Sequence, residues 1–194
     1  VCAFHELMRS TQCAYLAQKD DPEVEACHRR AELYYKERAE ATRDPGMMQN
    51  ALYHACLVDP KGAFENWEQE IFQAELAGNR GWWDELLAMF ELPAQYRRLT
   101  PEQRGWLAHY RGKWYIRSYR IDAALESYAQ ALGLFRAVGS RLGEANTLKA
   151  IGDVQRFKDE NDAALESYAQ ALGLGSAARQ GRGETTAGDA AGEV

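Results

Sequence analysis

The chain is short of several things whose scarcity narrows what it can be. Its four cysteines, Cys2, Cys13, Cys27 and Cys56, all fall in the first third and form no CxxC pair. That pattern fits thiols kept reduced better than a disulfide framework, and a cytoplasmic location is expected. Long apolar runs are missing: none approaches the roughly 20 residues a membrane-spanning helix needs, and no amino-terminal segment has the parts of a signal peptide. A basic excess is missing too. The net charge of −6 argues against a dedicated nucleic-acid binder and leaves proteins or small molecules as partners. No GxxxxGK[ST] motif occurs, so nucleotide binding is not assigned to these residues. The chain begins with Val1 rather than Met, and is read as an internal piece of something longer.

Catalytic and metal-binding signatures are equally thin. Among His5, His28, His54 and His109, the close-set ligand types are the Cys27-His28 neighbours and the His54-x-Cys56 pair. Residues at i,i+1 or i,i+2 do not share a helix face, so no metal or cofactor is expected and these histidines are read as packing or capping groups. A nucleophilic cysteine would need a histidine and an orienting group gathered by the fold. No local pattern announces one, and the chain is not expected to be an enzyme. Carboxylate pairs such as Glu68 with Glu70, or Asp20 with Asp21, read as solvated faces or helix caps.

What is present is helical punctuation. All five prolines lie at or before residue 101, and four follow a capping residue, at Asp21-Pro22, Asp44-Pro45, Asp59-Pro60 and Thr100-Pro101. An Asp or Thr oxygen can accept an orphan N–H of the first turn, and Pro has none to lose, so each dipeptide predicts a helix start. Gln103 would complete a capping box with Thr100. Apolar residues recur at three- and four-residue steps, as in Phe64, Trp67 and Ile71. About ten helices follow, near 3–19, 22–42, 46–58, 61–78, 81–91, 94–99, 102–117, 121–138, 142–157 and 161–174. Connections of a few residues make sequential helices antiparallel neighbours.

The stretch DAALESYAQALGL occurs twice, at 122–134 and 162–174, forty residues apart. A period of this size marks a solenoid whose units bury their faces on one another. Gly112 and Gly152 keep the same spacing, as do Ala124 and Ala164, Tyr128 and Tyr168, and Ala131 and Ala171. On one helix, Ala124, Tyr128, Ala131 and Phe135 form a single stripe with Leu125 and Leu132 beside it. Glycine inside the preceding helix costs about 1 kcal/mol against alanine, which is sensible where two helices must approach closely.

These residues resemble the tetratricopeptide repeat. Gly112, Tyr115, Ala124, Tyr128 and Ala131 match its pattern in one unit; Leu148, Ile151, Gly152, Ala164, Tyr168 and Ala171 match it in the next. Arg111 stands where Leu is usual, Gln155 where the first-helix Tyr is usual, and neither unit ends in Pro. The forty-residue unit is similar to the longer-helix variant of kinesin light chains and many bacterial regulators. The resemblance covers about 102–175 and implies an all-α, right-handed solenoid of antiparallel hairpins. It also implies a groove lined by the first helix of each unit, at Trp106, His109, Lys113 and Arg117, then Asn146, Lys149, Asp153 and Arg156. That polar, mostly basic face would suit a protein or peptide with carboxylates to offer.

The residues from Tyr96 to Arg120 hold Arg97, Arg98, Arg104, Arg111, Lys113, Arg117 and Arg120 against Glu102 alone, interleaved with Trp106, Tyr110, Trp114, Tyr115 and Tyr119. Three accounts apply, in order of preference: packing with solvated charge, a groove for an acidic peptide, and a stacking surface for nucleic acid.

The first hundred residues carry a second resemblance. Phe4–Arg9, Cys27–Tyr35 and Ala51–His54 are similar to the helical stretch after the winged helix in bacterial signal-transduction ATPases of the STAND class. That implies a sensor arm whose nucleotide-binding domain lies upstream. The expected organisation is therefore capping or linker helices over 1–100, two repeats over 101–175, and a disordered Gly/Ala-rich tail over 176–194. With two repeats alone, Leu165, Tyr168 and Leu172 would be partly uncovered, which leaves self-association open.

Overall fold

A computed structural model describes residues 22–90 and 97–187, with side chains as far as Leu174. The helix expected over 3–19 lies outside the described residues, as do residues 94–96 of the one expected over 94–99, and with them Cys2, His5, Cys13 and the Phe4–Arg9 stretch. The described residues form helices and no strand: α1 (Pro22–Thr42), α2 (Pro45–Val58), α3 (Pro60–Ala77), α4 (Arg80–Met89), α5 (Pro101–Arg117), α6 (Ile121–Val138), α7 (Arg141–Phe157) and α8 (Asn161–Ala187). The backbone of α8 runs on past 174, where the last expected helix ends. The chain divides into two compact units, Val1–Thr100 and Pro101–Val194.

In the first unit the proline signals mark the starts of α1, α2 and α3. Asp44 Oδ1 accepts from Gly46 N at 2.9 Å, as a cap should. Asp59 departs from expectation: it closes α2 and opens α3 at once, and makes no side-chain cap bond. Asn79, which no proline follows, caps α4 by accepting from Trp82 N at 3.1 Å. The core is aromatic. Phe64, Trp67 and Ile71 of α3 are buried, as are Trp83 and Leu86 of α4 and Phe90 just after it. The Phe64, Trp67 and Phe90 rings stand 4.8–5.5 Å from one another, at separations where offset and edge contacts are favourable. Trp67 Nε1 donates to Leu86 O at 2.6 Å, so the buried indole loses no hydrogen bond.

The second unit consists of two antiparallel hairpins, α5–α6 and α7–α8, with α7 also packed on α6 and α5. Both hairpins turn the same way. Tyr119 and Asp159, forty apart, take left-handed φ values of 57° and 60°. Arg120 N donates to Tyr115 O and Glu160 N to Gln155 O, each at 2.9 Å, closing the helix end with the six-to-one bond of a Schellman turn.

Within each hairpin, glycine is set against tyrosine. A Cβ on Gly112 would stand 2.4 Å from the Tyr128 ring, and one on Gly152 2.6 Å from the Tyr168 ring. Phe135 of α6 fills the same role twice, once within its own hairpin and once between hairpins. It lies against Gly105 of α5 and Gly143 of α7, where Cβ atoms would fall 2.7 and 2.4 Å from its ring. No alternative conformational reason is needed for these glycines: the close approach of helix to aromatic ring excludes a side chain.

Candidate functional site

The eight residues expected to line the groove follow two parallel stripes, on α5 and α7. The structure separates them into different kinds of group. His109 is buried, so it is an interior residue rather than a surface one. Its Nδ1 lies 3.0 Å from Thr147 Oγ1, and that hydroxyl donates to Gly143 O at 2.8 Å. With its proton so engaged, Thr147 is an acceptor toward the histidine, so Nδ1 carries the ring proton and the imidazole is the neutral donor. Burial, with Lys113 nearby, lowers the His109 pKa to about 3, consistent with a neutral ring in a dry contact. The pair pins α5 to α7.

Trp106 is half-buried and packs edge-on to Phe135 at 5.0 Å and to His109 at 5.5 Å. Lys113 is half-buried, with its ammonium 5.8 Å from the Tyr110 ring centroid, and Arg117 is exposed.

On α7 the stripe is more open. Asn146, Lys149 and Arg156 are exposed and Asp153 is half-buried. Asp153 serves two partners: Lys149 Nζ reaches Oδ2 at 3.1 Å and Tyr168 Oη donates to Oδ1 at 2.8 Å. That hydrogen bond is the main reason the Tyr168 hydroxyl has a raised pKa. The Lys149–Asp153 bridge is exposed on both sides and is worth about 0.3–0.5 kcal/mol at i,i+4. An incoming carboxylate can therefore exchange for Asp153 at Lys149 with little loss.

One departure from the repeat pattern gains a physical account here. Gln155, standing where a Tyr is usual, accepts from Ser167 Oγ at 2.7 Å. The equivalent Ser127, facing the Tyr115 helix, turns instead to Ala123 O in its own helix. Lys113 occupies the position equivalent to Asp153.

The basic and aromatic residues from 97 to 120 are largely occupied in the fold. Arg98 donates to Leu57 O at 3.1 Å and Val58 O at 2.7 Å, meeting carbonyls left over at the end of α2, where positive charge is favoured. The Arg120 guanidinium lies 4.6 Å over the Tyr115 ring. Packing is thus a large part of what this composition does.

In the first unit the structure joins two histidines that the sequence shows as separate. His28 and His54 place their Nδ1 atoms 2.9 Å apart, linking α1 to α2, and Tyr35 stacks on His54 at 5.6 Å. Burial lowers the His28 pKa, as befits a pair in which one ring must accept. Cys56 is buried, and its thiol is pushed up to about 12 by burial and by Glu32, far from the range of a reactive nucleophile. Among the described residues no group of three or more His, Cys, Asp or Glu is placed to hold a metal. No described helix is long and apolar enough to cross a membrane.

Residues 103–175 match the tetratricopeptide repeat family. The match takes in both hairpins and leaves the first unit outside it. No curated protein and no solved structure matches the chain. With the all-helical architecture, the match identifies the expected all-α, tetratricopeptide-like solenoid. Repeats of this kind generally mediate protein–protein interaction.

Proposed function

We propose that the second unit is an interaction scaffold that binds a segment of a partner protein across α5 and α7, with acidic groups of that segment meeting Lys149 and Arg156. One observation carries the reading. The contacts that stack the hairpins use Phe135, His109, Thr147 and the glycine-facing tyrosines, and they leave Asn146, Lys149 and Arg156 exposed along one face of α7. Trp106 and Lys113 supply a half-buried aromatic and a cation on the neighbouring helix. His109 supports this face from beneath and is not a contact residue. The forty-residue unit, with α5, α6 and α7 of 17, 18 and 17 residues, supports the long-helix variant resembling kinesin light chains.

Selection of a peptide library on the wild-type chain, followed by counter-selection on a Lys149→Glu, Arg156→Glu variant, tests the proposal. Acidic peptides should bind the wild type and lose at least about tenfold in affinity for the variant, since two desolvated charge pairs are reversed. Circular dichroism should be unchanged, because both side chains are exposed. Peptides that bind both proteins equally would remove the groove from consideration.

The regulatory-arm reading adds a claim about the first unit. The Cys27–Tyr35 and Ala51–His54 stretches that carry that resemblance pack together through the His28–His54 contact, which supports treating them as one element. An upstream phosphate-binding loop and winged helix in the gene would favour it; their absence would count against it. Nucleic-acid binding is the weakest of the three readings, because Arg98, Arg120 and Trp106 already serve the fold.

A further inference from the structure

The helices α6 and α8 share thirteen identical residues, yet their outer faces fare differently. Leu125 and Leu132 of α6 are half-buried, while the equivalent Leu165 and Leu172 of α8 are 67% and 69% exposed. On α6 the cover is a helix, α7: Val154 is buried with Ala124 and Tyr128, and Ala150, Ile151 and Leu125 pack on that cluster. Since the sequence is the same, the outer face of α8 can take a helix as well.

That face is complementary to itself. Leu165, Ala169 and Leu172 are all exposed and fall at steps of four and three, so they form one stripe. Two copies laid antiparallel set Leu165 of each against Leu172 of the other, with the small Ala169 beside the two-fold axis. Charge selects the same orientation. Asp162 and Glu166 lie in the first half of the stretch, and 167–174 carries no charge. An antiparallel pair sets the acidic half of one helix beside the uncharged half of the other, whereas a parallel pair sets carboxylates beside carboxylates. The covering face of α7 is not open to a second copy, because Val154 is already buried within its own chain. Among the described residues of the second unit, the other exposed large apolar groups are Tyr119, Val138, Leu142 and Phe157. They sit at helix ends and turns and make no second stripe.

We propose that the outer face of α8 pairs with the same face of a second copy of this chain, as an antiparallel, two-fold contact through Leu165, Ala169 and Leu172. A contact of this symmetry closes on itself, so association stops at two copies. Two leucines and an alanine per copy bury less than the roughly 1,200 Å² of a standard stable complex, so the dimer is weak and reversible. The contact uses none of the eight groove residues, and the inference is independent of what the groove binds.

Sedimentation equilibrium of the full chain over a range of concentrations tests this. The mass should rise from one copy toward two and level off there. Leu165→Glu and Leu172→Lys should each weaken the dimer at least about tenfold, since each sets a charge against a leucine. Both side chains are exposed, so circular dichroism should not change. An equimolar mixture of the two variants should recover the dimer: the antiparallel pair sets the new carboxylate against the new ammonium and the two remaining leucines against each other. Leu76→Glu in the first unit, at a residue that is likewise 67% exposed, should leave association unchanged. A wild type that stays monomeric throughout would overturn the proposal. So would a mass that climbs past two copies, which marks head-to-tail growth, or a dimer lost in Leu76→Glu and kept in the α8 variants. Failure of the mixture to recover the dimer would overturn the antiparallel contact.

Discussion

The two units reach a packed interior by opposite means. The first stacks large rings on one another, with Phe64, Trp67, Trp83 and Phe90 all buried and the Trp67 indole tied to a carbonyl. The second sets each ring into a gap: Tyr128 against Gly112, Tyr168 against Gly152, and Phe135 between Gly105 and Gly143. A ring-on-ring core fits one place and need not recur. A ring against glycine leaves both helix backbones close and parallel enough for the next hairpin to repeat the contact, so the second unit can grow by duplication.

Removing a ring from either core should be the most damaging change. Trp67→Ala and Phe135→Ala should each cost about 3–5 kcal/mol, measured by urea denaturation. Loss of hydrogen-exchange protection should centre on α3 and α4 for the first, and on α5 to α7 for the second, where Phe135 joins all three helices. Equal loss across both units would show that the cores are not separate in the way described.

Glycine-to-alanine changes sharpen the contrast between the cores. In an ordinary helix the change stabilises by about 1 kcal/mol. Gly143→Ala should instead destabilise by about 1–3 kcal/mol, because its Cβ would fall 2.4 Å from Phe135. Gly133→Ala, on α6 with nothing within 4 Å of the added Cβ, should stabilise by up to about 1 kcal/mol. Opposite signs at these two glycines are the signature of the ring-in-gap design; the same sign at both would refute it.

Acid titration probes the polar pin between hairpins. His109 has its pKa lowered from 6.5 to about 3. The folded state thus binds this proton less readily than the unfolded chain does. Its contribution is fully present above about pH 6.5 and is lost as pH falls from there toward 3. Between pH 7 and pH 5 this amounts to about 2 kcal/mol at most. His109→Gln should be less stable at neutral pH but flatter over that interval, as urea midpoints at several pH values would report. An identical slope in the variant would assign the acid sensitivity elsewhere, the His28–His54 pair being the obvious other site.

The smallest expected effect lies at a hairpin turn. Tyr119 is 82% exposed with φ of 57°, a backbone that disfavours an L side chain. Tyr119→Gly should raise stability by about 0.5–1 kcal/mol, seen as a higher thermal midpoint. No gain would mean that the turn is held without strain.

How much of this was legible in the sequence differs between the units for a physical reason. Proline after a capping residue located α2 and α3, since both signals are local. The Asn79 cap was missed because Asn alone is common in loops. The repeated stretch revealed the hairpins because identical residues at a fixed period must meet equivalent neighbours, and the Gly112–Tyr128 contact follows from that spacing. The joining contacts were not legible. His109 was assigned to the groove from its place in the stripe, yet its burial depends on Thr147, thirty-eight residues away, and nothing local marks that meeting. The His28–His54 contact was hidden likewise, each histidine being set beside a cysteine in sequence but beside the other in space.

A partner segment is proposed to lie across α5 and α7. The most direct test is an NMR footprint of the chain with a selected acidic peptide. Amide and side-chain shifts confined to Trp106, Lys113, Asn146, Lys149 and Arg156 and their immediate neighbours are the predicted result. A footprint on α1 to α4, or on the outer faces of α6 and α8, would contradict it.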